Sequence, residues 1–405
     1  MSAPSAPSVP SVPSPPRTPR APLARRRGAR ILWSRWARSP AAAAAGVLAG
    51  ALLAAALVVL LAGGDPARAL GALLRGAFGG RYQLATLVTK ACPLIFTGLA
   101  AGIAFRTGFW NIGAEGQLVA GAIAAVAVSF WLAALPAFLL IPVALCAAAA
   151  AGGALALVAA LLKLRRGAQE VITTILLNFV ALHFLSYCVN GPLQEAARTQ
   201  PVSDLIPVAA RLPRIAGSAL PLHAGIFVAL ALAALAYVVL FRTALGLELR
   251  AVGLAPVAAR HARIAVASRI AVAAILSGGM AGLAGAVEIS GNLHRLYDKI
   301  SPGYGYSGIA VALLARNHPL WVVPAALFFG ALDAGSTRMQ QEAGVSYLLV
   351  LVVQAIIIAS AAVAALRRAP VAAAGGAAGT NGAASGPGAA STPGAASTPR
   401  ATSAA

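Results

Sequence analysis

The chain has 405 residues, 60% of them hydrophobic and only 10% charged, with a formal net charge of +21. A soluble domain carries about 25% charged residues, so the composition excludes an ordinary soluble enzyme or binding module. Apolar runs of about 20 residues recur along most of the length, each enough to cross a bilayer as a helix, and their lack of period-two alternation argues against a barrel.

Residues 1–16, "MSAPSAPSVPSVPSPP", are low in complexity and bury too little surface to offset their ordering entropy. Residues 17–38 then hold eight arginines. A basic run just before a span marks the cytoplasmic side and invites contact with anionic membrane lipids. No nucleic-acid-binding module accompanies it, so nucleic acid is not an expected partner. The first apolar run begins near Ala41, too far from Met1 and too long for a cleavable signal peptide. The expected division is a disordered basic tail over 1–40, a transmembrane domain over 41–366, and a disordered Ala/Gly/Ser/Pro-rich tail over 367–405.

Ten crossings are predicted, an all-α polytopic fold: 41–62, 84–105, 112–134, 136–162, 171–190, 222–241, 268–291, 305–316, 319–335 and 345–366. The eighth is too short to span alone, and Gly303, Gly305 and Gly308 suit a broken or re-entrant entry. With both termini cytoplasmic, the inner segments hold 21 of the 31 Lys and Arg residues, a bias of the right sign. "TGLAAGIAFRTG" in the second crossing and "SGGMAGLAGAVE" in the seventh share a small-residue pattern and run in opposite directions. That is the relation of a 5+5 inverted repeat, although small residues also serve helix packing generally.

Several chemistries are missing. Lys90, Lys163 and Lys299 are the only lysines and none follows a glycine, so there is no phosphate-cradling Walker A loop and no ATP hydrolysis by this chain. "LSGGM" at 276–280 resembles an ATPase signature but lies within an apolar run, where helix packing accounts for its glycines. The five histidines are scattered without metal-ligand spacing, and no Gly-x-Ser-x-Gly elbow occurs. Cys92, Cys146 and Cys188 read as buried small hydrophobes. No metal, cofactor or catalytic residue is expected.

Polar islands interrupt the apolar runs. "RTGFWNIGAEGQLVAGA" places Arg106, Asn111, Glu115 and Gln117 between two spans. A charge at mid-bilayer costs about 3 kcal/mol on insertion scales, so such residues face protein, water or a pathway. Arg106 can snorkel to the interface, and Glu115, one turn after Asn111, shares a helix face with it. In "AQEVITTILLNF", Glu170 sits at a helix N-terminus and Asn178 two turns on, where it either bonds a neighbouring helix or lines a path. The basic segment 241–269 contains a Gly253–Pro256 break and a short helix from about Pro256 to Ile264, long for a plain loop and suited to a docked partner. Tyr304, Tyr306 and Ser307 add polar groups beside the eighth crossing.

"FRTGFWNIGAEGQLVAGA", "EVITTILLNFVA", "GLELRAVGLAPVAARHARI", "LSGGMAGLAGAVE" and "GYGYSGIAVALLARNHP" occur in order, and with them the chain resembles the permease subunits of bacterial binding-protein-dependent ABC importers. It is most similar to those of the nucleoside and simple-sugar type. The resemblance covers about residues 80–360. It implies a multi-pass protein of the bacterial inner membrane, paired with a second permease subunit, two cytoplasmic ABC ATPase subunits and an extracytoplasmic solute-binding protein. It also implies an ATPase-coupling loop at Arg250, Gly253, Pro256, Ala259, Arg260 and Ile264, and a substrate pathway drawing on Asn111, Glu115, Gln117, Asn178, Tyr304 and Tyr306. Two positions depart from the family pattern: Ala255, where Asn is frequent, and Arg263, where Gly is frequent. A stand-alone ion-coupled transporter, using Glu115 and Glu288, is the competing reading. The carried solute stays open among nucleoside, ribose-like sugar and branched-chain amino acid.

Overall fold

The computed structural model describes residues 65–344 apart from Ala216 and Ser218, together with scattered positions in 50–60 and 351–355. The predicted tails lie outside the described residues, as do most of the first and tenth predicted crossings. Among the described residues there are eleven α-helices and no strand, only the isolated bridges Val202–Tyr297 and Arg214–His223.

In chain order the helices are α1 (Pro66–Phe78), α2 (Arg81–Arg106), α3 (Ala114–Trp131), α4 (Ala137–Arg166), α5 (Glu170–Asn190), α6 (Gly225–Arg242), α7 (Ala244–Leu254), α8 (Pro256–His261), α9 (Val266–Glu288), α10 (Tyr304–Leu314) and α11 (Pro319–Ala343). A π-turn, Ile289–Leu293, extends α9. Seven of them (α2 to α6, α9 with its π-turn, and α11) are long and apolar enough to cross a bilayer. These and α10 coincide with the second to ninth predicted crossings. The short eighth one is an 11-residue helix, about 16 Å at 1.5 Å per residue and about half a hydrocarbon core.

Helix α1 occupies a stretch that hydropathy leaves as a loop. Asp65 caps it by accepting from the Ala67 and Arg68 amides at 2.9 and 3.4 Å, and Pro66 sits at its first position, so the local start signal is complete. Its buried face packs on α11.

Helix α2 is the central element, buried along most of its length and packed on α9, α10, α11 and α6. Pro93 removes one helical hydrogen bond there, and the Thr97 hydroxyl donates to the Pro93 carbonyl at 3.0 Å. Helix α9 lies against α3 and α4 through small residues. A Cβ at Gly278 would overlap the Gly152 carbonyl oxygen, and one at Gly282 the Ala148 carbonyl oxygen. Backbones come this close only through glycine, the way apolar helices gain dispersion energy where no hydrophobic effect separates helix from lipid. The glycines of "LSGGM" therefore belong to this seam. Of the cysteines, Cys92 and Cys188 are buried, but Cys146 is exposed on α4, along an open apolar groove of about 600 Å³ that α6 also lines.

Candidate functional site

The first polar island forms a junction between two helix starts. Gly308 of α10 lies against Thr97, and Gly102 against Asn317, so α10 runs parallel to the second half of α2. Gly305, one turn ahead of Gly308, is therefore level with the middle of α2. At that level the first turn of α10 meets the first turn of α3, closely enough that a Cβ at Gly305 would overlap the Glu115 backbone nitrogen.

Glu115 is what this meeting encloses. It lies in the first turn of α3, its carboxylate accepts from the Gly305 amide at 2.7 Å, and the Ser301 hydroxyl also bonds it. The same hydroxyl oxygen accepts from the Gly303 and Tyr304 amides at 3.1 and 2.9 Å, closing the start of α10. Each helix N-terminus carries roughly half a positive charge, and here two of them converge on one carboxylate. That supplies the stabilisation that a charge buried to 4% exposure requires.

Asn111, Gln117 and Asn178 are as deeply enclosed, each 2% exposed or less. Asn111 and Gln117 exchange two hydrogen bonds of 2.9 Å, and Asn111 also donates to Ser277 of α9, which donates to the Ala100 carbonyl of α2. Asn178 of α5 accepts from the Gly116 amide at 2.8 Å and donates to the Ile112 carbonyl and to the Tyr306 hydroxyl, at 3.1 and 3.2 Å. Thr174 accepts from the Ile112 amide. Tyr304 is buried and Tyr306 is exposed beyond its hydroxyl contact. All six candidate pathway residues thus gather at the α3–α10 junction. The helix arithmetic that paired Asn111 with Glu115 does not hold: Asn111 stands in the turn before α3, and its partner is Gln117.

The coupling-loop candidates are distributed differently. Arg250 is half-buried on α7, donating to the Gly246 carbonyl, with its guanidinium 5.1 Å from the Phe241 ring centre. A Cβ at Gly253 would overlap the Arg106 carbonyl oxygen, so α7 rests directly on the end of α2. Ala259 is buried and Ile264 half-buried, in a small apolar core with Phe109 and Val252. Glu248 pairs with Arg269, tying α7 to α9. What α7 and α8 leave uncovered is Leu254 at 87% exposure, Pro256, Val257, Arg260 and His261.

The two departures from the family pattern fall at the two ends of α8. Ala255 is its N-cap, in extended geometry and with no side-chain hydrogen bond to offer. Arg263 has φ 61°, the left-handed conformation, just past the helix end, where the Ile264 amide reaches back to the Ala259 carbonyl at 3.0 Å. These are the positions where Asn and Gly respectively are favoured.

Arg106, half-buried at the end of α2, has partners within the fold. Its Nε donates to the Asn317 carbonyl at 2.5 Å, and its guanidinium stands 4.8 Å from the Phe241 ring centre. Glu288, which the competing reading singles out, sits in a second charged set whose other members, Lys90 and Asp333, the sequence reading did not join to it. Lys90 of α2 lies 3.4 Å from Asp333 of α11, and Glu288, from α9, accepts from Asn292 at 2.7 Å nearby. Intramembrane charges were the signal available for it. In the connection before α6, His223 is buried with its Nδ1 accepting from the Gly225 amide at 3.2 Å and its Nε2 without a partner.

Comparison with known proteins fits this arrangement. Residues 83–361 match the family described as the permease component of the branched-chain amino acid transport system. The chain is 38% identical to the guanosine ABC transporter permease protein NupP of Bacillus subtilis, over 76% of this chain and 88% of that one. It is 36% identical to the glucose ABC transporter permease protein TsgB13 of Haloferax volcanii, over 72% and 79%. It is 30% identical to the nucleoside ABC transporter permease protein NupB of Lactococcus lactis, over 75% and 86%. No solved structure is significantly similar to it. With its apolar crossings and its family match over most of its length, the chain belongs to this family of ABC transporter permeases: a multi-pass membrane subunit for transport, not an enzyme.

Proposed function

We propose that the chain forms the translocation pathway of an ABC importer for a nucleoside or simple sugar. Its solute arrives on an extracytoplasmic binding protein, and ATP is hydrolysed on separate cytoplasmic subunits. The relatives that carry guanosine, nucleoside and glucose in their names support that solute class. In this reading 41–366 is a ten-crossing transmembrane domain with a second permease subunit beside it, and both tails, 1–40 and 367–405, are cytoplasmic. The meeting of α3 and α10 start to start, in opposite directions, supports a 5+5 inverted repeat, in which broken helices present their N-termini at mid-membrane.

The observation that carries the reading is the uncovered face of α7 and α8. Leu254 and Val257 are large apolar groups left exposed beside Arg260 and His261, at the helix ends that carry Arg106, Arg242 and Arg250. A face of mixed apolar and basic groups on paired short helices suits a groove on a soluble partner. The buried set Asn111, Glu115, Gln117 and Asn178 then braces the pathway, with Tyr306 presenting its ring from the same junction. No covalent chemistry falls on the solute; the ATPase drives alternating access by binding two states of this subunit unequally.

The test is reconstitution with ABC ATPase subunits and a solute-binding protein from the same organism. Uptake of labelled nucleoside or glucose into proteoliposomes requires those subunits, ATP and the binding protein. Uptake on a proton or sodium gradient alone would overturn the reading.

A further inference from the structure

The half-helix α10 is held at both ends by the two charged residues of one ten-residue stretch. Glu115 receives its first turn through the Gly305 amide, 2.7 Å away. Arg106 receives its far end through the Asn317 carbonyl at 2.5 Å. Between α10 and α11, Arg316 and Asn317 both take left-handed geometry, with φ 54° and 56°. Two consecutive non-glycine residues in that region persist only where their surroundings hold them.

Arg106 also faces the docking helices. Two guanidiniums stand by the Phe241 ring, that of Arg106 at 4.8 Å from its centre and that of Arg250 at 5.1 Å. Gly253 of α7 rests on the Arg106 carbonyl, and the facing Gly108 takes φ 73° to allow that approach. One residue therefore touches α7 by its backbone, α6 by its guanidinium face and the α10–α11 break by its Nε.

We propose that Arg106 is a positioning residue for transport: it ties the inner end of α10 to the ATPase-docking pair α7–α8, so that displacement of the pair is delivered to the α3–α10 junction. The inference rests on the ABC importer reading and adds the route within it. Arg106 touches no solute. Its contribution is to make the docking helices and the half-helix move as one body.

The experiment uses the full complex with its ATPase subunits and binding protein in proteoliposomes, measuring both uptake and ATP hydrolysis. Arg106→Gln removes the charge and the ring contact. The expected result is ATPase capture and hydrolysis close to wild type with uptake down about tenfold, the size of one lost charged hydrogen bond, so more ATP is spent per solute moved. Arg106→Lys keeps a charged donor without the planar stack and recovers part of the ratio. Phe241→Leu removes the ring beside the two guanidiniums and raises the ratio less; it carries the same test should Arg106→Gln fail to reach the membrane. Unchanged uptake in these variants, or uptake and hydrolysis falling in equal proportion, would overturn the proposal. A wild-type chain that captures no ATPase would instead sink the importer reading beneath it.

Discussion

The α3–α10 junction and the paired helices α7–α8 solve opposite problems with similar residues. At the junction, Glu115, Asn111, Gln117 and Asn178 are all enclosed and all hydrogen-bonded, Glu115 and Asn178 to the backbone amides of Gly305 and Gly116, which are distant in sequence. On α8, six residues long, the N-cap has no side-chain acceptor and the far end is an arginine in left-handed geometry. An enclosed polar group without a partner costs about 1–3 kcal/mol, so the interior tolerates few. A short exposed helix can stay under-capped because water satisfies its free groups. In the importer reading, the junction is the end of the route that is internally braced, and α8 the end whose order the ATPase subunit completes.

The sharpest way to break this contrast is Glu115→Ala. It strips the acceptor from the Gly305 amide, which stays buried, and from the half-buried Ser301 hydroxyl. We expect a loss of about 3 kcal/mol of stability and collapse of uptake. Glu115→Gln, which keeps an acceptor for the amide, should retain much of both. Thermal unfolding in detergent decides it, and equal loss in the two variants would show that an acceptor for the Gly305 amide is not what holds the junction.

A buried histidine gives the next largest effect, with pH as the probe. Burial foremost, then the neighbouring His294 and Arg214, hold the His223 pKa down to about 4 from an ordinary 6.5. Charging it also removes the Nδ1 acceptor from the Gly225 amide. The fold prefers the neutral ring, so the stabilisation is complete above about pH 6.5 and is lost as pH falls toward 4. The whole window is worth about 3 kcal/mol. His223→Asn should flatten the dependence of melting temperature on pH; an unchanged slope would assign it to other groups.

Arg260→Glu tests the other side of the comparison. Arg260 is exposed and its side chain makes no hydrogen bond or ion pair among the described residues, so insertion and melting should stay as in wild type. Uptake should fall about tenfold, the equivalent of 1.4 kcal/mol at the docking face. Undiminished uptake would move the docking surface elsewhere.

How much of this was legible in the sequence follows from range. Hydropathy needs only neighbours, and it found the helices of the second to ninth predicted crossings, closely for 84–105 against Arg81–Arg106, but it ended the ninth at 335 where the helix runs on to Ala343. It missed α1 because Arg68 and Arg75 dilute the apolar signal, although Asp65-Pro66 marks a helix start. The Glu115–Gly305 bond spans 190 residues and ends on a backbone amide, so no side-chain pattern announces it. The partners of Arg106, a carbonyl and a ring, also come from distant parts of the chain, so the sequence shows only a cation at a helix end. The buried polar residues were identifiable as a set; what each one holds was not.

The smallest expected effect bears most directly on why α8 differs from the junction. Ala255→Asn adds a side-chain acceptor at the N-cap, worth about 1 kcal/mol. Arg263→Gly relieves the left-handed residue past its far end, worth about 1 kcal/mol after the added chain entropy. Neither position lies in the buried network, and the two act on opposite ends of the same helix. Slower amide exchange over Pro256–His261 would report them directly. If α8 gains its order from the ATPase, pre-ordering it removes part of that penalty, and capture should tighten about fivefold for each kcal/mol. Slower exchange without tighter capture would mean that α8 is already formed before the partner arrives, and that its missing caps are plain sequence drift on a solvated surface.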